Sequence, residues 1–170
     1  MIEVQRADIT TLAVDAIVNA ANAELIPGGG VSGAIHRAAG PELRAACHSI
    51  GDCEPGGAVI TPGFALHAKF VIHAVGPIWR GGTAGERDVL RHTYGSVFRV
   101  ARANAGIRTL AFPAISTGIY GFPKAGAAEI AVAVMRLHEA AFDRIVACLF
   151  DDESRSIYER ALARTVPEAG

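Results

Sequence analysis

The glycine run Gly28, Gly29 and Gly30 lies between the end of a buried apolar segment and the start of a predicted helix. Glycine has no Cβ, so this loop can adopt positive φ angles and bring its N–H groups close to a ligand. The helix that follows adds unpaired N–H groups and the positive end of its dipole. Two residues with carboxamide side chains, Asn19 and Asn22, lie just upstream. Their amide groups are suited to hydrogen bonds with the hydroxyls of a sugar or with the backbone of the loop itself. The segment therefore predicts a phosphate or diphosphate site.

A second glycine-rich turn, PAISTGIYG, follows an apolar segment that ends at Phe112 and precedes a helix that begins near Pro123. Residues 116–118 offer hydroxyls and close backbone approach for further phosphate contacts. Tyr120 lies between two glycines, so we expect its ring to project into the cleft and cover a sugar. Each loop alone is equally well explained as a tight turn. Together they favour a diphosphate held between two strand–loop–helix units.

Apolar runs and helical patterns alternate along the chain, which predicts the α/β class. The expected fold is a single domain over residues 1–170, a three-layer α/β/α sandwich with a central mixed, mostly parallel sheet and binding loops at the carboxyl ends of its strands. Asp151 or Asp152 is predicted to cap the last helix. Strands are predicted at residues 2–4, 16–18, 58–61, 70–74, 109–112 and 144–150, and helices at 32–49, 86–105, 124–140 and 151–164.

Composition narrows the class of function. A net charge of −1, with scattered basic residues, argues against duplex nucleic acid as the main partner. There is no apolar run long enough for a bilayer and no signal-peptide core at the start, so no membrane partner is expected. Cys47, Cys53 and Cys148 have no metal-like spacing, which favours reduced thiols over a metal site, with a Cys47–Cys53 redox pair as the alternative. We expect a cytoplasmic monomer without a bound metal or cofactor.

An ordered series of long motifs covers nearly the whole chain: ADIT, NAAN, GGGV, GAIHRAAGP, GDC, VIHAVGPIW, FPAISTGIYGFP and IYERAL. In these motifs the chain closely resembles the macrodomain family, and within it the MacroD-type subgroup. The resemblance implies a cleft that binds ADP-ribose as ligand or product, and hydrolysis of O-acetyl-ADP-ribose or of ADP-ribose attached to proteins. A dehydrogenase or NTPase fits less well, because neither G-x-G-x-x-G nor a phosphate-loop lysine is present.

The resemblance also implies roles for single residues. Asp8 would accept a hydrogen bond from the adenine amino group, although a lone Asp more often caps a turn. Phe150 would lie near the adenine face, although it could equally be core. Asn22 would bond the distal ribose, and Asn19 would tie the loop together. The other implied contacts are Ile9 at the adenine and Gly29, Gly30, Val31, Ser116, Thr117, Gly118, Ile119 and Tyr120 at the diphosphate.

Two histidines, His36 and His73, are acid–base candidates by residue type alone. A histidine within an apolar helix face or strand is more often a hydrogen-bonded structural residue, and that is the expectation here.

Ser32 departs from the family pattern, since MacroD-type hydrolases commonly carry an aspartate at this position. A serine hydroxyl is a weak base that hydrogen-bonds a water without taking its proton. Serine also suits the N-cap of the predicted helix. One hypothesis is a hydrolase whose substrate diphosphate activates the water, with Asn22, Ser32, Gly30 and Tyr120 around the scissile bond. The alternatives are a reader that binds ADP-ribose without cutting, or an interaction domain with a vestigial cleft.

Overall fold

A six-stranded sheet forms the centre of the computed structural model, which describes residues 1–165. The strand order is β1-β6-β5-β2-β4-β3, and only the β3–β4 pair is antiparallel. The predicted mixed, mostly parallel sheet is therefore confirmed. The strands are β1 (Ile2–Arg6), β2 (Ala16–Ala21), β3 (Ala58–Pro62), β4 (Phe70–Val75), β5 (Thr109–Phe112) and β6 (Arg144–Leu149).

Helices cover both faces of the sheet, which completes the predicted three layers. The pair α1 and α2 packs on one face, while α3, α4 and α5 pack on the other. Short 3-10 turns follow β1 and α4, at Ile9–Thr11 and Glu139–Ala141. The helices are α1 (Gly30–Ala39), α2 (Pro41–Ile50), α3 (Glu86–Arg102), α4 (Lys124–His138) and α5 (Asp152–Arg164).

Alternate residues of the central strands belong to two separate cores. In β4, Val71 and Val75 pack toward α1 and α2, whereas Ile72 and Ala74 pack toward α3 and α4. Strands covered on both faces read as continuous apolar runs, and this is why β4 and β6 are visible in the sequence. Burial of each large aliphatic side chain contributes about 1.5–3 kcal/mol, so the two cores hold the sheet rigidly beneath the loops.

The helix predicted over residues 32–49 is wrong, because two helices occupy this stretch. Gly40 ends α1 with φ +89°, and its N–H donates to the carbonyl oxygen of His36. A positive φ is accessible to glycine at little cost, and the proline that follows, Pro41, is well placed as the first residue of α2. The Gly-Pro dipeptide was the signal for this break.

The ends of other elements differ from the predicted ones by a few residues. β2 extends to Ala21, so Asn19 lies inside the strand rather than in the loop after it. β6 ends at Leu149 and leaves Phe150 outside the sheet. The cap of α5 is confirmed as Asp151, whose carboxylate accepts a hydrogen bond from the N–H of Ser154 at 2.7 Å.

Within residues 1–165, no helix combines the length and the apolar character needed to cross a membrane. The three cysteines are free thiols, so Cys47 and Cys53 do not form a disulfide.

Gly63, in the turn between β3 and β4, has no room for a side chain. Its N–H donates to the carbonyl oxygen of Lys69, and an added Cβ would overlap the carbonyl oxygen of Ala68. We expect Gly63→Ala to lower the free energy of unfolding by about 1–3 kcal/mol, measured by urea denaturation. Gly106→Ala is the control, because a Cβ there meets no atom within 4 Å. Equal stability of the two variants would contradict this packing.

Candidate functional site

A cavity of about 510 Å³ lies at the carboxyl ends of four adjacent strands, β6, β5, β2 and β4. It is lined by the ends of these strands and by the loops and helix starts that follow them. Parallel strands deliver their loops to one edge of a sheet, which is where α/β proteins bind ligands. The lining residues are 20–22, 28–32, 113–120 and 148–151, with Gly76, Lys124 and Ser154.

The loop after β2 is held in shape by Asn22. The Asn22 Oδ1 atom accepts from the N–H of Ile26 at 3.0 Å, and its Nδ2 atom donates to the carbonyl oxygen of Ile26 at 3.0 Å. Leu25, in the bend between them, has φ +56° and a buried side chain. Asn22 therefore fixes the loop that leads to the glycine run, and it also lines the cavity.

Close packing of α1 against this loop requires Gly33. A Cβ at this residue would lie 2.6 Å from the carbonyl oxygen of Gly28, which is closer than real Cβ contacts. Glycine here lets the first turn of α1 approach the loop backbone. The N-terminus of α1 is thereby placed at the cavity.

The loop after β5 forms the facing wall. Ser116 has φ +67°, and its carbonyl oxygen accepts from the N–H of Phe122 at 2.9 Å. The N–H of Gly121 donates to the carbonyl oxygen of Gly118 at 3.0 Å, so the loop closes on itself. Gly76 packs beneath it, since an added Cβ would overlap the hydroxyl of Ser116.

Two runs of backbone N–H groups, at residues 28–32 and 116–120, donate no hydrogen bond to any group within residues 1–165. Both runs lie in segments that line the cavity. Backbone donors that lack a protein partner need another acceptor. Successive N–H groups of a loop, together with a helix N-terminus, form an anion site. The arrangement has the chemistry of a diphosphate cradle.

Two of the residues that line this cavity have buried hydroxyls. Ser32 and Ser116 are each 7% exposed, and their Oγ atoms have no hydrogen-bond partner within residues 1–165. The N-cap predicted for Ser32 is wrong: α1 begins at Gly30 after the cap residue Gly29, and Ser32 is the third residue of the helix. The Ser32 hydroxyl is therefore a buried polar group that no protein atom within residues 1–165 satisfies.

The end of the cavity next to β6 has an apolar rim. Phe150 and Ile119 line the cavity yet are 80% and 99% exposed, so their large side chains are open to a ligand. Lys124 lies at the same end and forms an ion pair with Glu153 at 3.2 Å. Burial is the main cause that raises the pKa of the Cys148 thiol to about 11, so this cavity residue is uncharged at neutral pH.

Asp8 and Ile9 lie beside this end but do not line the cavity. Asp8 Oδ1 accepts from both the N–H and the hydroxyl of Thr10, at 3.0 and 2.7 Å, so Asp8 caps a turn. The side chain of Ile9 is 4% exposed and belongs to the core. The Cys148 thiol donates to the carbonyl oxygen of Ala7 at 3.3 Å, so the residue next to Asp8 contacts a residue that lines the cavity.

Asn19 does not line the cavity and does not hold the loop. It is 1% exposed, and its Nδ2 atom lies 3.1 Å from His73 Nδ1 across the β2–β4 pair. An amide nitrogen only donates, so His73 carries its proton on Nε2, which lies 2.9 Å from the hydroxyl of Thr61. Loop-tying was expected of Asn19, but Asn22 performs it.

The two histidines differ in their hydrogen bonding. Burial, with a smaller contribution from His36, lowers the pKa of His73 to about 4, so this ring is neutral at pH 7 and is structural as expected. Burial and the charge of Arg44 also lower the pKa of His36. Its Nδ1 atom is buried and has no partner within residues 1–165, so the expectation of a hydrogen-bonded structural histidine does not extend to this atom.

A second cavity of about 320 Å³ shares Gly76 and Tyr120 with the first. The buried carboxylate of Glu86, at the start of α3, accepts three backbone N–H groups from the loop that forms one wall. The donors are Arg80 at 2.9 Å, Gly82 at 2.8 Å and Ala84 at 2.7 Å. These bonds, that from Arg80 most of all, lower the pKa of Glu86 to about 2.

Sequence reasoning missed several cavity residues. Gly76 was signalled by the Gly-Pro pair directly after β4, but its tight contact with Ser116 has no signal in the sequence. Lys124, Ser154 and Cys148 reach the cavity only through the packing of α4, α5 and β6. Within residues 1–165 no group of three His, Cys, Asp or Glu side chains is arranged to hold a metal ion.

Comparisons of the sequence and of the fold with known proteins lead to the same family. The Macro domain model matches residues 18–131. The chain is 56% identical over 157 residues to a Macro domain-containing protein of Ralstonia nicotianae, with 92% of this chain and 91% of that protein covered. It is 52% identical over 170 residues to a protein of Citrobacter rodentium named O-acetyl-ADP-ribose deacetylase, with 96% of each covered.

Solved structures show the same fold. The macrodomain of Oceanobacillus iheyensis with ADP matches at TM-score 0.90 and 37% identity, over 95% of this chain and 90% of that chain. The macrodomain of Trypanosoma brucei in complex with ADP-ribose matches at TM-score 0.86 and 38% identity, over 95% of this chain and 68% of that one.

The carboxylate of Glu86 makes the stability of the wall depend on pH. In the folded protein the pKa of Glu86 is about 2, below its ordinary value of 4.5. The contribution of its ionised carboxylate to the free energy of unfolding is therefore fully present above pH 4.5 and is lost as the pH falls toward 2. We expect Glu86→Gln to destabilise the protein at pH 7 and to differ less from wild type at pH 3, by denaturant unfolding. The exposed Glu129→Gln is the control. A stability difference independent of pH would contradict this role.

Proposed function

The chain belongs to the Macro domain family, and from that premise we propose that its cavity binds ADP-ribose and that the protein hydrolyses ADP-ribosyl esters. The two runs of free N–H groups that face each other across the cavity carry the proposal. The diphosphate of ADP-ribose carries two negative charges and has acceptor oxygens on both sides, so it matches two opposed rows of donors. The enzymes of known name among the relatives are O-acetyl-ADP-ribose deacetylases, which are hydrolases of this class.

We place the ligand with its diphosphate between the two loops. Backbone groups of one loop would hold one side of the diphosphate, and those of the other loop the opposite side. Both walls carry their donors on segments fixed by their own hydrogen bonds, so little order has to be gained on binding. The contacts proposed are Gly29, Gly30 and Val31 in the first loop and Ser116, Thr117, Gly118 and Ile119 in the second.

The two ends of the cavity differ in chemistry, and this sets the direction of the ligand. The open aromatic ring of Phe150 suits the adenine face, with Asp8 and the backbone of Ile9 beside it. Asp8 Oδ2 is not used in the turn cap and is available to the adenine amino group. At the other end, Asn22 retains a second amide hydrogen and a second lone pair for the distal ribose, next to Tyr120.

Hydrolysis then takes place at the Asn22 end. Water adds across the ester and gives a free ribose hydroxyl, a carboxylate and a proton. The one carboxylate that lines the cavity within residues 1–165, Asp151, follows β6 at the opposite end and caps α5. We therefore assign activation of the water to the diphosphate of the substrate, with Ser32 Oγ as a hydrogen-bond partner that orients it. Orientation alone can supply several kcal/mol.

The alternative function is an ADP-ribose reader. It is favoured by the same observation at Ser32, because among residues 1–165 no side chain that lines the proposed ester end of the cavity is a carboxylate or histidine. The diphosphate contacts are shared by both functions, so binding measurements do not separate them and a turnover assay does.

Release of acetate from O-acetyl-ADP-ribose distinguishes hydrolase from reader. We expect slow turnover by the wild type and a rise of roughly 10²-fold in kcat for Ser32→Asp, because a carboxylate would act as general base. Ser32→Ala should lose no more than about tenfold, the value of one hydrogen bond. Asn22→Ala should abolish turnover. ADP-ribose binding without acetate release by either wild type or Ser32→Asp would favour the reader.

Asp8→Asn tests the adenine end with little change to the fold. Asparagine keeps the Oδ1 acceptor that caps Thr10 but replaces Oδ2 with a donor that repels the adenine amino group. We expect the Kd for ADP-ribose to rise about 10- to 100-fold by calorimetry, the loss of one hydrogen bond to a charged group. The melting temperature should stay unchanged, and an unchanged Kd would refute the role of Asp8.

A further inference from the structure

We propose that the second cavity binds the polypeptide segment that carries an ADP-ribosylated aspartate or glutamate. The inference rests on the proposed function, because it takes the distal ribose to lie at the Asn22 end of the first cavity. It adds a binding site for the protein part of the substrate.

The position of the second cavity fits this role. Ala23 and Glu24, which line it, directly follow Asn22. Gly76 and Tyr120 line both cavities, so the second begins where the first ends. A group esterified to the distal ribose therefore points past Tyr120 into this space.

The walls are already formed. The three bonds to Glu86 fold residues 80–84 against the start of α3. The N–H of Trp79 donates to the carbonyl oxygen of Tyr120 at 2.8 Å, and the Trp79 ring packs on Phe122 with centroids 4.7 Å apart. This second anchor joins the wall of the second cavity to the loop of the first. A preformed site binds without the cost of ordering its own loops.

Size and lining indicate the occupant. The volume of about 320 Å³ falls in the range of ligand-sized pockets, whereas an acetyl group adds only a few heavy atoms. Pro55, Pro77, Ile78 and Val89 give the cavity apolar walls. Arg80 also lines it and forms no ion pair within residues 1–165, and the acidic residues Glu24 and Glu86 line it as well, so the walls carry charged groups of both signs. Apolar walls with charged groups of both signs suit a peptide segment, which carries apolar side chains and polar backbone groups, better than they suit an acetyl group.

Ala84→Trp tests the proposal. Ala84 is exposed, lines only the second cavity and is uncharged, so a bulky residue there fills the space without altering the field at the diphosphate. The substrates are a synthetic peptide with ADP-ribose on a glutamate, O-acetyl-ADP-ribose, and free ADP-ribose for binding. We expect kcat/KM for the peptide to fall about tenfold or more, as for loss of an anchored contact. The kcat/KM for O-acetyl-ADP-ribose and the Kd for free ADP-ribose should each change less than about twofold.

Two further variants complete the test. Ala105→Trp is the matched control, since Ala105 is an exposed loop alanine that lines neither cavity, and it should leave all three values unchanged. Ile78→Ala removes an apolar contact and should lower peptide kcat/KM about threefold or more with no effect on O-acetyl-ADP-ribose. If Ala84→Trp and Ile78→Ala leave peptide turnover unchanged, or lower both activities equally, the second site is overturned.

Measurements on the wild-type protein distinguish failure of this inference from failure of the proposed function. Turnover of O-acetyl-ADP-ribose without any turnover of the peptide overturns the second site alone. Failure to bind ADP-ribose overturns both. If ADP-ribose binds but neither substrate is cut, the peptide should bind at least about tenfold more tightly than free ADP-ribose, and Ala84→Trp should remove the difference. Equal affinities in that case overturn the site.

Discussion

The parallel run of β6, β5, β2 and β4 is the constraint on which the site depends. Four adjacent strands that point the same way bring four loops to one edge of the sheet. The two cores on either face fix the strands, so the loops are positioned from below. The glycine contacts then set how closely they approach: Gly33 lets α1 lie on its loop, and Gly76 lies under Ser116. The opposed rows of N–H groups result from these contacts.

The sequence was sufficient to predict the sheet and both loops, because buried strands appear in it as apolar runs and glycine-rich loops follow two of these runs. It was insufficient where a residue's partner is distant in the chain. Asn19 pairs with His73, which is 54 positions away, and no local spacing signals this contact. Ser32 was predicted as a cap from its residue type, but the helix begins two residues earlier, at Gly30, with Gly29 as its cap residue. The cavity roles of Asp8 and Ile9 remain predictions.

The two cavities are mechanically joined. Tyr120 lines both cavities, and its carbonyl oxygen accepts the N–H of Trp79, so this bond joins the loop after β5 and the wall of the second cavity into one hydrogen-bonded unit. Glu86 supports that unit from the start of α3 with a carboxylate that stays ionised at neutral pH.

The anion site is built from main-chain atoms, and this has an evolutionary consequence. Every residue except proline supplies the same N–H donor, so side chains along the two loops can change without loss of these donors, except where the backbone demands glycine, as at Gly30 with its positive φ and at Gly33 against Gly28. Position 32 contributes a side chain to the same cavity without being one of the elements that hold it together. A change of the side chain at position 32 therefore leaves the main-chain donors of both loops in place.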